Sequence, residues 1–321
     1  MKKIQEIGFP ISQKENEYRR ATIPTDLETV NNCCHLYFEK GYGEKIGYSD
    51  SEYEKYGCHM VSHAESLSKD IICDAKIGDA EYLSELKAGQ VIFGWIHAVQ
   101  NRDITDKILD CKATAIAWED MFCKGRHCFW RNNEVAGEAA IMHAFQCYGK
   151  MPYGMDVALI GQGNVARGAL KILTLLGANV TVYNRKTEAL FHEELPKYDV
   201  VVNGVLWDTS RKDHIVYKKD LQRMKKNSFI IDISCDNQGG IETSMSTTIE
   251  NPVYFIDSIM HYVVDHTPSL FYKTATSGIS NEVVKYLDDL CESNKNDILE
   301  KATCIRNGII IDQRINAFQR R

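Results

Sequence analysis

Short apolar runs alternate with helical periodicities through the second half of this chain. "DVALIG" (156–161) is an apolar strand bounded by a glycine turn. Residues 164–176 carry Val165, Ala169, Ile172, Leu173 and Leu176 at helical spacing, and Gly177 supplies the stop. "NVTVY", "DVVVNGV", "FIIDIS" and "VYFIDSI" follow as further strands with helical or irregular connections. Strands this apolar, separated by helices, predict a parallel sheet covered on both faces. Helices are predicted on either side of this block, over 132–149 and 280–294. The N-terminal part has its own strand-like runs, "DIICDA", "QVIFGWIH" and "ATAIAWE". The closing "IRNGIIIDQRINAFQ" is too short to form a domain and is expected to rejoin the N-terminal one. The pattern therefore predicts an α/β protein of two Rossmann-like domains. A cofactor domain at 134–291, with its connector helices, is inserted into a discontinuous substrate domain at 1–133 and 292–321. A chain of 321 residues suits two cores.

Gly161, Gly163 and Ala166 form GxGxxA directly after a strand and before a helix. The first glycine permits the turn, the second lets backbone approach a pyrophosphate, and the small third residue lets helix and strand pack closely. The N–H groups of Asn164, Val165 and Ala166 then open a helix whose dipole favours phosphate. The second strand of such a unit usually ends in an acid that holds the ribose diol of NAD. Here it runs into Asn184, Arg185 and Lys186, a neutral amide followed by two cations. A carboxylate there would repel a 2′-phosphate, whereas Asn184 is uncharged and Arg185 presents a fork of donors. The expected cofactor is NADP(H).

Composition narrows the partners. A net charge of -6 gives no basic footprint for nucleic acid. No apolar run reaches membrane-spanning length, and "MKKIQEIGFPIS" has no continuous apolar stretch of a signal peptide. The 11 cysteines are scattered without paired CxxC motifs and read as reduced cytosolic thiols. "CKGRHC" lacks a second ligand pair, so no metal is expected.

Several separated segments carry a family resemblance: "KENEYRRATIP" (14–24), "IICDAKIGD" (71–79), "VIFGWIHAVQNRDITDKILDCKATAIAWEDM" (91–121) and "IIDISCDNQGGIET" (230–243). They resemble the alanine dehydrogenases, in the same order. "SIMHYVVDHTPSLF" (258–271) is closer to the saccharopine dehydrogenase branch of that family. The resemblance covers nearly the whole chain. It implies an oxidoreductase whose partners are a small oxo acid and a basic amino acid; a homo-oligomer is expected, and the thiols already point to the cytoplasm.

The resemblance also implies roles, residue by residue. Arg19 would hold the oxo-acid carboxylate. Lys76 would anchor the oxo acid or share proton transfer. His97, at the end of "VIFGWIH", would be the general acid/base, a task that suits an imidazole. Asp236 would meet the substrate ammonium, with Asp232 as competitor, because "CDNQGG" is one residue longer than the alanine dehydrogenase run. His266, ahead of His261, would join the substrate site. Arg131 and Glu138 are candidates for recognising the amino acid or for capping a helix. Where some saccharopine dehydrogenases place a lysine shortly after the histidine, this chain has Gln100.

The reaction that the resemblance implies is an NADPH-dependent reductive condensation of pyruvate with the side-chain amine of ornithine or lysine, as in opine-type dehydrogenases. A saccharopine or alanine dehydrogenase is the alternative within the class. A non-catalytic NADP-binding sensor is the alternative outside it.

Overall fold

The computed structural model describes residues 4–236 and 238–321. The chain divides into two compact units, one comprising residues up to Trp130 together with Tyr272–Arg321, the other Arg131–Phe271.

In the first unit the chain lays down β1 (Ile7–Phe9), β2 (Leu36–Glu39), short α1 (Asp50–Glu54), β3 (His59–Val61), short α2 (His63–Ser66) and β4 (Ile71–Cys73). β5 (Val91–Gly94), α3 (Arg102–Asp110), β6 (Thr114–Ala117) and the ribbon β7 (Phe122–Cys123) with β8 (Arg126–His127) complete this part. α4 (Trp130–Tyr148) opens the second unit. β9 (Asp156–Ile160), α5 (Asn164–Leu175), β10 (Asn179–Tyr183), α6 (Glu188–Glu194), β11 (Val200–Asn203), β12 (Phe229–Asp232), β13 (Val253–Ile256) and β14 (Ile259–Tyr262) follow. α7 (Tyr272–Glu292), α8 (Asp297–Ala302), β15 (Thr303–Arg306), β16 (Ile309–Ile310) and α9 (Gln313–Gln319) return to the first unit.

The first sheet has the order β16-β15-β6-β5-β4-β1-β2-β3. β1 to β6 pair in parallel, and the returning β15 and β16 close one edge antiparallel. Its core includes the aromatic group Phe9, Phe38, Tyr42 and Tyr53, and the α7 residues Ile279, Val283 and Leu287. α7 starts at Tyr272, eight residues before the periodicity becomes regular, and its apolar face belongs to this first core. β1, β2 and β3 are only three or four residues long, too short for their alternation to stand out in the sequence.

The second sheet has the order β10-β9-β11-β12-β14-β13. β11 and β12 are buried along their whole length, as central strands covered on both faces must be. β10 lies at an edge and alternates exposed and half-buried positions. The run "VYFIDSI" is not one strand. Asp257 and Ser258 both take positive φ (49° and 66°), so the chain reverses and β13 pairs antiparallel with β14. Such a two-residue turn matches the twist of the strands it joins.

α4 and α5 cross at backbone contact. A Cβ on Gly137 would stand 2.0 Å from the Val165 carbonyl oxygen, and one on Gly168 would stand 2.0 Å from that of Glu134. Around this crossing Arg131 bonds Glu138 (3.0 and 3.2 Å) and Glu134 (3.2 Å), while Lys171 and Arg167 reach across from α5 to the same two acids. Glu134 and Glu138 therefore tie α4 to α5, and Arg131 braces both acids from within α4.

Candidate active site

Three candidate residues of the first unit follow the C-terminal ends of adjacent strands: Arg19 after β1, Lys76 after β4 and His97 after β5. Ligands of open parallel sheets collect at that end. Arg19 is buried. Glu17 accepts from its Nε (2.8 Å) and Nη2 (2.5 Å), and its guanidinium lies over the Trp95 ring, 5.0 Å from the centroid. Glu17 also accepts the Arg19 backbone N–H at 2.9 Å. Edge and face of the guanidinium are thus fixed.

Lys76 is buried beside Asp79, with Nζ 2.8 Å from Oδ2; Lys14 Nζ lies 3.0 Å from the same oxygen. Burial alone would raise the Asp79 carboxyl, but the two ammonium groups win and hold it down at about 2. Asp74 accepts the Lys76 backbone N–H (3.1 Å) and the Tyr82 hydroxyl (2.7 Å); burial raises its carboxyl to about 6 despite those bonds. The Gly78 N–H donates to the Trp95 carbonyl at 3.0 Å, and a Cβ on Gly78 would stand 2.2 Å from the Ile96 oxygen. The lysine turn and the histidine turn are thereby pressed together, and Arg19 is stacked on the residue two before His97.

His97 is exposed and holds φ at +56°, a left-handed conformation that costs an ordinary residue about 1–2 kcal/mol. Glu119 pins this turn by accepting the N–H groups of His97 (2.5 Å) and Ile96 (3.2 Å). Burial pushes the Glu119 carboxyl up to about 7, against the lowering effect of those N–H groups. Glu17, Asp79, Trp95 and Glu119 are not singled out by the sequence pattern. The available signal was proximity for three of them, since each lies within three residues of a candidate. Glu119, 22 positions beyond His97, had none. In "CKGRHC", the His127 ring bonds the Glu119 carbonyl and the Cys128 thiol meets the Tyr286 hydroxyl at 3.3 Å.

In the second unit Gly161 has φ +117°, and a Cβ there would stand 2.8 Å from the Gly204 carbonyl oxygen. Gly163 faces open space and caps α5 without a side-chain hydrogen bond. Ala166 is buried against Gly204, 3.2 Å from where a Cβ on that glycine would stand. A turn kept bare of side chains, with the first N–H groups of α5 above it, fits a dinucleotide pyrophosphate. Asn184, after β10, uses Oδ1 to accept the Lys186 N–H at 2.9 Å, and its own N–H donates to Thr187 Oγ1. Arg185 Nη1 lies 3.6 Å from Asp208 Oδ2.

Asp232 is buried, and its carboxylate accepts from Asn203 Nδ2 (2.9 Å), Ser244 Oγ and the N–H groups of Ser234 and Cys235. Burial raises its pKa and these donors oppose the rise. It is the anchor of the strand end. Asp236 is half-buried in the following loop, where its carbonyl accepts the Gly239 N–H at 3.0 Å. His261 is fully buried between the Thr243 hydroxyl (2.8 Å) and the Ile259 carbonyl (3.1 Å). His266 is buried with Nδ1 2.6 Å from Asp265 Oδ1.

A bare glycine turn opening α5 suits a dinucleotide, and the other unit carries an arginine, a lysine and a histidine at its strand ends. Comparison with known proteins carries this further. Residues 8–127 match the alanine dehydrogenase/PNT N-terminal domain and residues 184–315 the alanine dehydrogenase/PNT C-terminal domain. Residues 121–237 match the NAD-binding domain of D-isomer specific 2-hydroxyacid dehydrogenases. The chain is 31% identical over 298 residues to N(5)-(carboxyethyl)ornithine synthase of Clostridium botulinum, covering 88% of this chain and 93% of that protein. It is 25% identical over 340 residues to alanine dehydrogenase 1 of Staphylococcus aureus, covering 94% and 91%. A solved L-alanine dehydrogenase superposes with a TM-score of 0.81 at 20% identity, covering 98% of this chain and 99% of that one. The chain belongs to the alanine dehydrogenase/PNT family. It is an NAD(P)-dependent oxidoreductase acting on CH–NH groups. Among the described residues no helix is long and apolar enough to cross a membrane.

Proposed function

We propose that this enzyme condenses pyruvate with the side-chain amine of ornithine or lysine and reduces the product with NADPH, giving an N-(carboxyethyl) amino acid. One observation carries the reading. Arg19, Lys76 and His97 stand at the ends of three adjacent strands in a chain 31% identical to a protein named N(5)-(carboxyethyl)ornithine synthase.

Gly161, Gly163 and the N–H groups of Asn164, Val165 and Ala166 would hold the pyrophosphate, and Asn184, Arg185 and Lys186 the 2′-phosphate end. When bound, the nicotinamide supplies a hydride. Arg19, oriented by Glu17 and Trp95, holds the oxo-acid carboxylate. Lys76 anchors the oxo acid beside it. His97 takes a proton from the attacking ammonium, so that nitrogen adds to the carbonyl carbon. A second proton of that nitrogen moves to the new alkoxide oxygen, making the hydroxyl; His97 then returns its own proton to this hydroxyl, which leaves as water and yields the iminium ion that takes the hydride. Asp236 and His266 recognise the amino acid. A positioned acid/base of this kind contributes about 10²–10⁴-fold.

The alanine dehydrogenase reading draws on the Staphylococcus aureus relative, and would use ammonia in place of the amine. The decisive experiment mixes the purified enzyme with NADPH and crosses several oxo acids against ammonia, ornithine and lysine. NADPH oxidation is followed by absorbance and the product identified by mass. Turnover with ammonia alone would replace the proposal by the alanine dehydrogenase reading. No turnover with any pair would remove both substrate readings.

A further inference from the structure

The segment after β10 and the loop after β11 are joined by two ion pairs running in opposite directions. Arg185, on the first, points to Asp208 on the second (3.6 Å). Arg211, on the second, points back to Glu188 on the first (2.8 and 3.1 Å). The two pairs are unequal. Arg211 also bonds Asp213 through two nitrogens (2.8 and 2.7 Å) and lies over the buried Trp207 ring, 4.7 Å from its centroid. Its side chain is 14% exposed. The Arg185 side chain is 76% exposed and meets Asp208 beyond ordinary hydrogen-bond length. Arg211 is the fixed rivet of this junction, and Arg185 is the cation able to move. Asp208 cannot follow it, because its Oδ1 is held by the N–H (3.0 Å) and hydroxyl (2.6 Å) of Ser210.

In a dinucleotide fold these two segments wall the adenosine end, because the pyrophosphate sits at the glycine turn between β9 and its neighbours. We propose that Asp208 is a cofactor-selectivity residue. It is a carboxylate latch that pairs with Arg185 and that an incoming 2′-phosphate must displace. This rests on the NADP(H) reading. A dianionic phosphate offers the guanidinium fork more charge and more acceptor oxygens than one carboxylate oxygen, so the exchange runs toward phosphate. Asp208 then remains close by as a like charge, so it opposes 2′-phosphate twice: by competition before binding and by repulsion after it. Its presence sets an upper limit on selectivity, and NADH is indifferent to it.

The test titrates NADPH and NADH, by cofactor fluorescence, into wild type, Asp208→Asn, Arg185→Gln and the double variant, at low and high ionic strength. The amide introduced by Asp208→Asn keeps a carbonyl acceptor for Ser210, so the loop is preserved. Asp208→Asn is expected to lower the NADPH Kd about three- to tenfold at low salt and to leave the NADH Kd unchanged, with the gain shrinking as salt screens it. In the Arg185→Gln background most of that gain should vanish. Equal binding of NADPH and NADH by wild type would overturn the NADP(H) reading and the latch with it. Preference for NADPH with no gain in Asp208→Asn would overturn the latch alone. A gain that persists in full without Arg185 would also overturn it, since Asp208 would then act by simple repulsion.

Discussion

Arg19→Lys keeps the positive charge and removes the planar fork. In the structure that fork makes two side-chain bonds to the buried Glu17 carboxylate, at 2.8 and 2.5 Å, and stacks on Trp95. A lysine ammonium can replace one of those bonds at best. A hydrogen bond to a charged group is worth about 1.5–3 kcal/mol, and the cation–π contact contributes about 0.5–1 kcal/mol more. The expected loss of stability is about 2–4 kcal/mol. In a chain of this size that lowers Tm by roughly 3–6 °C. The kinetic signature is separate: the KM for the oxo acid should rise about tenfold or more, while that for NADPH stays near wild type, because the lost fork serves one substrate. Differential scanning fluorimetry and initial-rate kinetics on the same preparation check both. A variant that melts with wild type and keeps its oxo-acid KM would refute both the buried Glu17–Arg19 pairing and the carboxylate role.

The remaining predictions touch other parts of the two sites. His97→Gln keeps hydrogen-bonding capacity but cannot titrate, so kcat should fall about 10²–10⁴-fold with NADPH affinity unchanged; a folded variant with near wild-type kcat would remove His97 from the chemistry. Asn184→Asp retains the cap on the Lys186 N–H, so the local turn survives and only charge changes; NADPH should weaken by about 1–3 kcal/mol and NADH much less, read by fluorescence titration. Glu119 bears on pH. Its folded pKa of about 7 lies above the ordinary 4.5, so the native state holds the extra proton, and its contribution to stability falls as pH rises from about 4.5 to about 7. Urea midpoints should therefore drop across that window by up to about 2–3 kcal/mol of stability, and Glu119→Gln should flatten the slope. An identical slope in both proteins would rule Glu119 out as its source.

Local periodicity carried much of the architecture. β9, α5, β10, β11 and β12 are each written in a contiguous stretch: apolar runs for strands buried on both faces, helical spacing for α5, and glycines where backbone must turn or stay bare. The GxGxxA turn and the uncharged end of β10 are readable for the same reason, since their chemistry depends on neighbours a few residues away. What the sequence could not display depends on partners distant in the chain. "VYFIDSI" reads as one strand, and only pairing of β13 with β14 shows the reversal at Asp257–Ser258. Asp232 reads either as a competitor of Asp236 or as a structural residue of an apolar strand, and only the fold brings Asn203 and Ser244 to its carboxylate. Arg131 and Glu138 read equally as substrate contacts or as helix-end residues, and only α5 beside them shows the cross-helix cations that Glu138 meets. Arg19 reads as a carboxylate fork, but the partners that orient it, Glu17 at its edge and Trp95 at its face, become visible only in the fold. Glu119 and Asp208, 22 and 23 positions from His97 and Arg185, carry no mark in the sequence at all. Helix and strand follow from interactions within a few residues. The partner of a buried charge is chosen by strand order and loop packing, which bring together groups that the chain itself keeps apart.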